Sequence, residues 1–208
     1  MLFGRYYYSD NADMKPIEWL YVAETEEAIL YIAKYCIDMK LYSIDEPGGP
    51  SLAAWSESTI REWLNSEFLS VAFTAEEQRF ILPVEHENTR EDGIFGCRAT
   101  VIDYIFLLSK NEVLRYLSDR SIRQTELTPY AAKKRERSDD PWWWWTRTSG
   151  SVEYDGATIH YAGIACAMPD DEETFPFPYV EEIWICDEVN AVRPAFCMRK
   201  GDPTKSLP

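Results

Sequence analysis

Apolar positions alternate with polar or amphipathic ones along Pro16-Ile17-Glu18-Trp19-Leu20-Tyr21-Val22, and this period of two predicts a strand. A turn around Glu24-Thr25-Glu26 leads to a second apolar run, Ala28–Ala33, so the two strands are expected to form an antiparallel hairpin. The residues before it read as a polar, tyrosine-rich lead-in, and Asp45-Glu46-Pro47-Gly48-Gly49-Pro50 as a loop, because it concentrates residues that interrupt helix and sheet. The helix signals come next. Thr59 with Glu62 has the spacing of a capping box, and Ile60, Trp63, Leu64, Phe68 and Val71 then fall on one helical face. A second box, Thr74 with Glu77, predicts a short helix carrying Phe80 and Ile81 and stopped by Pro83. Residues 85–93 read as an exposed charged loop. Tyr104-Ile105-Phe106-Leu107-Leu108 reads as a buried strand, followed by a third box, Ser109 with Glu112, that opens a helix with Val113, Leu114 and Leu117 inward. Thr128-Pro129 opens a short fourth helix.

The last third returns to strand patterning. Trp142-Trp143-Trp144-Trp145-Thr146-Arg147-Thr148-Ser149-Gly150 sends alternate side chains to opposite faces, Trp142 and Trp144 to one, and Trp143, Trp145 and Arg147 to the other. Further strands are predicted around residues 152–154, 158–166, 183–186 and 191–198, with a loop over 170–178. Strands, then helices, then strands make an α+β layout rather than regular βα alternation. The length suits one domain over residues 1–208, with its core within about 14–200.

Composition narrows the function classes. A formal net charge of -15, with 36 Asp+Glu against 21 Lys+Arg, opposes binding to a phosphate backbone, so no nucleic-acid partner is expected. The one basic run, Lys133-Lys134-Arg135-Glu136-Arg137, reads as a solvated face or flexible loop. No apolar run reaches the roughly 18 residues of a membrane helix and the start lacks the features of a secretion signal, so a soluble, cytoplasmic protein is expected. The cysteines, Cys36, Cys97, Cys166, Cys186 and Cys197, are odd in number and form no CxxC pair, which favours buried thiols over disulfides or zinc.

From Pro16 to about Lys200 the chain resembles an uncharacterised bacterial domain family. Pro16-Ile17-Glu18-Trp19, Lys34-Tyr35 with Ile37-Asp38, and the helix from Trp55 through Arg61-Glu62-Trp63-Leu64-Asn65 carry the resemblance. So do Phe73-Thr74-Ala75-Glu76-Glu77, Phe106-Leu107-Leu108-Ser109, Trp144-Trp145-Thr146-Arg147-Thr148-Ser149-Gly150, similar to a Trp-Trp-Leu-Arg-Ser run, and the closing Val192-Arg193-Pro194-Ala195. The resemblance implies a C-type-lectin-like fold related to the formylglycine-generating enzymes: a twisted antiparallel sheet flanked by two main helices, with long irregular loops. Thr146 stands where Leu is usual. The Glu-Pro-Asn or Gln-Pro-Asp loop and Trp-Asn-Asp strand of calcium-dependent sugar binders are missing, so bound calcium is not implied.

Candidate chemistry gathers on the tryptophan strand. Trp143, Trp145 and Arg147, with Tyr154, His160 and Arg193, are candidate ligand-binding residues, because Trp, Tyr and Arg anchor interfaces and stack on sugars, peptides or cations. The competing expectation is that the tryptophans pack and that Arg147 and Arg193, each inside an apolar strand, find carboxylates or carbonyls. His160 reads as a packing histidine rather than a general base, and His86 as a poor metal ligand. The acidic run Asp170-Asp171-Glu172-Glu173 lacks a calcium loop's spacing, and phosphate, dinucleotide and nucleophile-elbow motifs are missing, so no metal or cofactor is expected. The expected function is a non-enzymatic module that binds a protein or small polar ligand, without a membrane. The alternatives are an oxidase-like enzyme using Cys186 and Cys197, or a structural component of a phage or larger assembly.

Overall fold

The described residues of this computed structural model are 1–43, 55–87, 100–135, 143–152, 159–165, 180–184 and 189–201. Four strands come first: β1 (Leu2–Tyr7), β2 (Met14–Glu24), β3 (Ala28–Ala33) and β4 (Asp38–Lys40). After a helical stretch come β5 (Ile81–Leu82), β6 (Val84–Glu87) and β7 (Thr100–Asp103). The end of the chain supplies β8 (Trp143–Val152), β9 (Ile159–Ala165), β10 (Val180–Trp184), β11 (Asn190–Val192) and β12 (Ala195–Arg199). They form a sheet in the order β1-β2-β3-β12-β5, a second in the order β10-β9-β8-β11-β4, and the pair β6-β7. The pairings between these described strands are antiparallel except β11 with β8, and an isolated bridge, Cys36 with Leu127, is also parallel. The fold is thus α+β and mostly sheet, and no described helix is long and apolar enough to cross a membrane.

The predicted hairpin forms, with Trp19 opposite Ala33 and Thr25 N donating to Ala28 O across the turn at 2.8 Å. The tyrosine-rich start is not a lead-in but a strand. Leu2 pairs with Glu18 and Tyr7 with Met14, and a bulge between Leu2 and Arg5 shifts the register. Gly4 makes the bulge possible at φ 65°, and its N–H reaches Glu77 Oε1 at 3.3 Å.

The main helix runs unbroken through Thr59–Trp63, a π-helical Leu64–Phe68 and Leu69–Ala72. Its cap is Ser58, one residue before the predicted Thr59, and Ser58 Oγ accepts from Arg61 N. Ile60, Leu64, Phe68 and Ala72 are buried. A repeat of four drifts by about 40° per step in an α-helix, and the wider π turn offsets that drift and keeps them toward the core. There they meet Tyr6 of β1, Phe73 and Phe196 of β12 in an aromatic cluster that includes Trp19 and Phe3.

The boxes at Thr74–Glu77 and Ser109–Glu112 form with both reciprocal bonds, and Thr128 caps Pro129–Ala132. The Thr74 helix stops at Gln78, and Ile81 belongs to β5 instead. Leu114, expected inward, is 45% exposed, while Val113 and Leu117 are buried. The expected loop at 85–93 is β6 over its first residues, paired with β7, and residues 88–93 lie outside the described ones. The basic run is only partly a solvated face, since Lys134 pairs with buried Asp38 and Lys133 Nζ donates to Ser9 O at 2.9 Å.

A Cβ at Gly4 would lie 2.5 Å from Phe73 Cε1 and 2.8 Å from Ala72 O. Gly4→Ala is expected to cost about 2–4 kcal/mol, from the positive φ and the overpacking together. Urea unfolding should show a lower midpoint at unchanged slope; a midpoint within error of the parent would refute this account of the bulge.

Candidate functional site

The predicted strand at residues 104–108 does not exist as a ladder. Ile105, Phe106, Leu107 and Leu108 are buried as expected, but only Phe106 bridges a strand, at Ala195. Buried backbone needs partners, and side chains from far along the sequence supply them. Asn65 Oδ1 accepts from Tyr104 N at 2.8 Å and Ile105 N at 3.2 Å, while its Nδ2 donates to Ile105 O at 2.9 Å. Arg147 Nη1 donates to Leu107 O at 2.8 Å and Arg147 N to Leu108 O at 3.1 Å. Ser109 N and Lys110 N, orphan donors at a helix start, go to Glu112 Oε2 at 2.7 Å and Thr148 Oγ1 at 2.8 Å.

Arg147 also forks onto Glu112, with Nη1 to Oε2 at 2.5 Å and Nη2 to Oε1 at 2.8 Å. Burial alone would raise the Glu112 carboxyl; the Arg147 hydrogen bonds and charge instead hold it below the ordinary range. Just before this segment, fully buried Asp103 accepts from Arg61 Nε at 2.6 Å and Trp55 Nε1 at 2.8 Å. Burial outweighs these partners and raises its carboxyl.

Arg193 is 1% exposed and donates to carbonyls: Ala33 O at 2.8 Å from Nε, and Ile122 O at 2.8 Å from Nη1. It lies 5.2 Å from the Trp144 ring, whose Nε1 donates to Arg123 O at 3.2 Å. Trp145 is likewise 0% exposed, donates to Lys40 O at 2.9 Å and packs edge-on to Tyr42. The alternation of the tryptophan strand therefore delivers Trp144 and Trp145 to two covered sides, and Trp145 has no solvent-open face for stacking. Trp143 is half-buried against the core. Tyr154 lies outside the described residues, and His160 sits in β9 opposite Trp184. Arg193 and Trp144 thus meet, whereas Arg147 belongs to a different cluster with Glu112.

His86 belongs to that cluster. It is buried 4.4 Å from the Phe106 ring, and Nε2 has no hydrogen-bond partner. Burial first, then the charge of Arg147, push its pKa down to about 3, with Glu112 opposing and Arg61 adding to the shift. No group of three or more His, Cys, Asp or Glu suited to a metal occurs among the described residues. Cys36 is fully buried; burial, then Glu112, push the half-buried Cys197 thiol up to about 11, away from a reactive thiolate. Cys97, Cys166 and Cys186 lie outside the described residues.

A different place offers room. β3 stops at Ala33, opposite Trp19, and after Lys34 N donates to Glu18 O at 2.8 Å the chain leaves the sheet. Pro16 has no N–H with which to extend that ladder, so Tyr35 to Ile37 diverges to join Glu126–Thr128 and Val192. The gap is an open cavity of about 310 Å³ whose walls include Tyr6, Tyr7, Tyr8, Tyr35, Pro16 and Thr128. Lys15 Nζ lies 3.7 Å over the Tyr8 ring, and Lys34 Nζ lies 4.9 Å over Tyr35 and 2.8 Å from Glu18 Oε2. The hydroxyl of the wall residue Tyr6 donates to buried Asp38 at 2.8 Å. Aromatic faces, a carboxylate, an ammonium and a strand edge thus converge on one space. The Tyr6-Tyr7-Tyr8 run and Pro16 were the signals in the sequence, but the departure of Tyr35 depends on pairing more than 90 residues away.

The sequence profile described as Domain of unknown function (DUF6273) matches residues 45–200. The chain belongs to the DUF6273 family. No curated protein and no solved structure matches it. In this DUF6273 chain the matched region holds the Arg147, Asp103 and Arg193 clusters, whereas of the named groove walls only Thr128 lies within it.

His86 yields a pH prediction. Its folded-state value of about 3 lies below the 6.5 of an exposed histidine, so between those values the unfolded chain binds the extra proton and stability falls with acidification. The slope approaches about 1.4 kcal/mol per pH unit. His86→Phe should flatten the stability profile between pH 4.5 and 6.5, leaving the losses from Glu112 at lower pH. Urea titrations across that window, with equal slopes for the parent and the variant, would sink the assignment.

Proposed function

We propose that this chain is a non-enzymatic binding module and that its binding site is the tyrosine-walled groove between Pro16 and Tyr35. The carrying observation is the groove itself: an open cavity of about 310 Å³ where aromatic faces and charged groups converge. Ligand sites commonly combine such walls with a few placed polar groups. Supporting this location, Trp145, Arg147 and Arg193 spend their polar atoms on backbone and Glu112. The raised Cys197 thiol favours binding over oxidase chemistry. We further propose that the architecture is a variant of the C-type-lectin-like fold, supported by the antiparallel sheets, the helix packed on β1 and β12, and the return of the last strand beside β3. A protein or small polar molecule is the class of ligand proposed.

The test is a peptide and glycan array probed with the labelled chain, alongside Tyr35→Ala, Tyr8→Ala and Trp143→Ala variants shown by thermal unfolding to be folded. Loss of an aromatic stacking partner costs about 1 kcal/mol, roughly fivefold in affinity. Signals reduced by that factor in the two tyrosine variants, and kept in Trp143→Ala, are expected. Signals lost only in Trp143→Ala would move the site to the tryptophan strand and reject the groove.

A further inference from the structure

We infer that the groove takes a lysine side chain presented by an extended peptide, a statement that rests on the groove being the binding site. The first reason is the edge of β2. Trp19 N donates to Met1 O on the β1 side, whereas Glu18 O accepts from Lys34 on the other. Backbone groups alternate along a strand, so Met14, Pro16 and Glu18 turn theirs toward the groove, and over residues 14–18 β2 pairs with β1 only. Pro16 contributes a carbonyl and no N–H, and the Met14 carbonyl already accepts from Arg5 Nη2 at 2.8 Å. An incoming extended chain finds an acceptor there, as in strand addition to an open edge.

The second reason is what the rings already hold. Lys15, Lys34 and Lys134 place their ammonium groups 3.7, 4.9 and 4.2 Å from the centroids of Tyr8, Tyr35 and Tyr130. Ammonium on tyrosine is thus the arrangement this end of the molecule builds from its own side chains. Lys15 and Lys34 remain 51% and 40% exposed, so a ligand ammonium can exchange with them. The third reason is charge. Glu18 and Asp13 present half-exposed carboxylates at the rim, and the net charge of -15 steers cations toward the molecule. An anionic ligand would have to draw Lys15 and Lys34 away from these carboxylates against the same field.

The experiment is calorimetric titration of the full chain at low salt with hexalysine, hexaglutamate, hexaglycine and spermidine, read together with the array signals above. Hexalysine is expected to bind. Glu18→Gln should weaken it about fourfold and Lys15→Ala should tighten it about threefold, while Glu26→Gln, the same charge change at the far hairpin turn, has little effect. The sign of the Lys15→Ala effect is decisive: weaker binding in that variant overturns the inference. Equal weakening by Glu18→Gln and Glu26→Gln would reduce the binding to overall charge and overturn it too. Spermidine binding as tightly as hexalysine, with the same Glu18 dependence, rejects the peptide. Hexaglutamate or hexaglycine binding in a Tyr35-dependent way, without hexalysine, rejects the lysine and leaves the groove as the site. Array signals indifferent to both Tyr8→Ala and Tyr35→Ala overturn the site and the inference together.

Discussion

The structure depends on keeping the backbone of residues 104–110 satisfied while its side chains fill the core. Ile105 to Leu108 are as buried as any strand, yet only Phe106 is paired with one. Each unsatisfied buried peptide group would cost on the order of 1–3 kcal/mol, comparable to a large part of a domain's net stability. Asn65, Arg147, Glu112 and Thr148 meet this need, and they come from a helix before the segment and from the helix and strand after it. The segment therefore ties the main helix to the tryptophan strand. Removing Arg147 would release two of these contacts at once and leave the Glu112 carboxyl, which burial alone pushes up, without its cationic partner.

The same solution recurs where the chain changes sheets. β11 lies between β8 and β4, β12 lies between β3 and β5, and only Arg193-Pro194 separates them. Such a short crossing exposes carbonyls that no ladder reaches. Arg193 answers Ala33 O and Ile122 O, Pro194 O accepts from Ala33 N, and Trp144 covers the guanidinium. The sequence runs around Asn65, Phe106, Trp144 to Thr148 and Arg193 thus make physical sense as a set. They are the partners in these two junctions.

Elements set by nearby residues were legible in the sequence. The boxes at Thr74 and Ser109 need only residues three apart, and the hairpin of Trp19 with Ala33 only a turn. Features set by distant partners were not. An apolar run such as Tyr104 to Leu108 signals burial equally well for a strand and for an irregular segment held by Asn65 some 40 residues earlier. Strand periodicity separated Trp144 from Trp145 but could not reveal that both sides are covered, since Lys40 and Arg123 lie on other elements. Gly4 hid β1 because a bulge breaks the alternation that marks a strand.

The groove obeys a different logic from the junctions. Arg147 and Arg193 are positioned by several hydrogen bonds each and leave little for a solute, whereas Lys15 and Lys34 are held by one carboxylate and one ring apiece and remain open to exchange. Exposed pairs of that kind contribute about 1 kcal/mol or less to stability, so their replacement by a ligand perturbs the fold little. The family match spans the junctions but only the Thr128 side of the groove. Membership in DUF6273 therefore argues for the scaffold, and the ligand must be argued from Tyr8, Lys15, Glu18 and Tyr35, residues that the match does not reach.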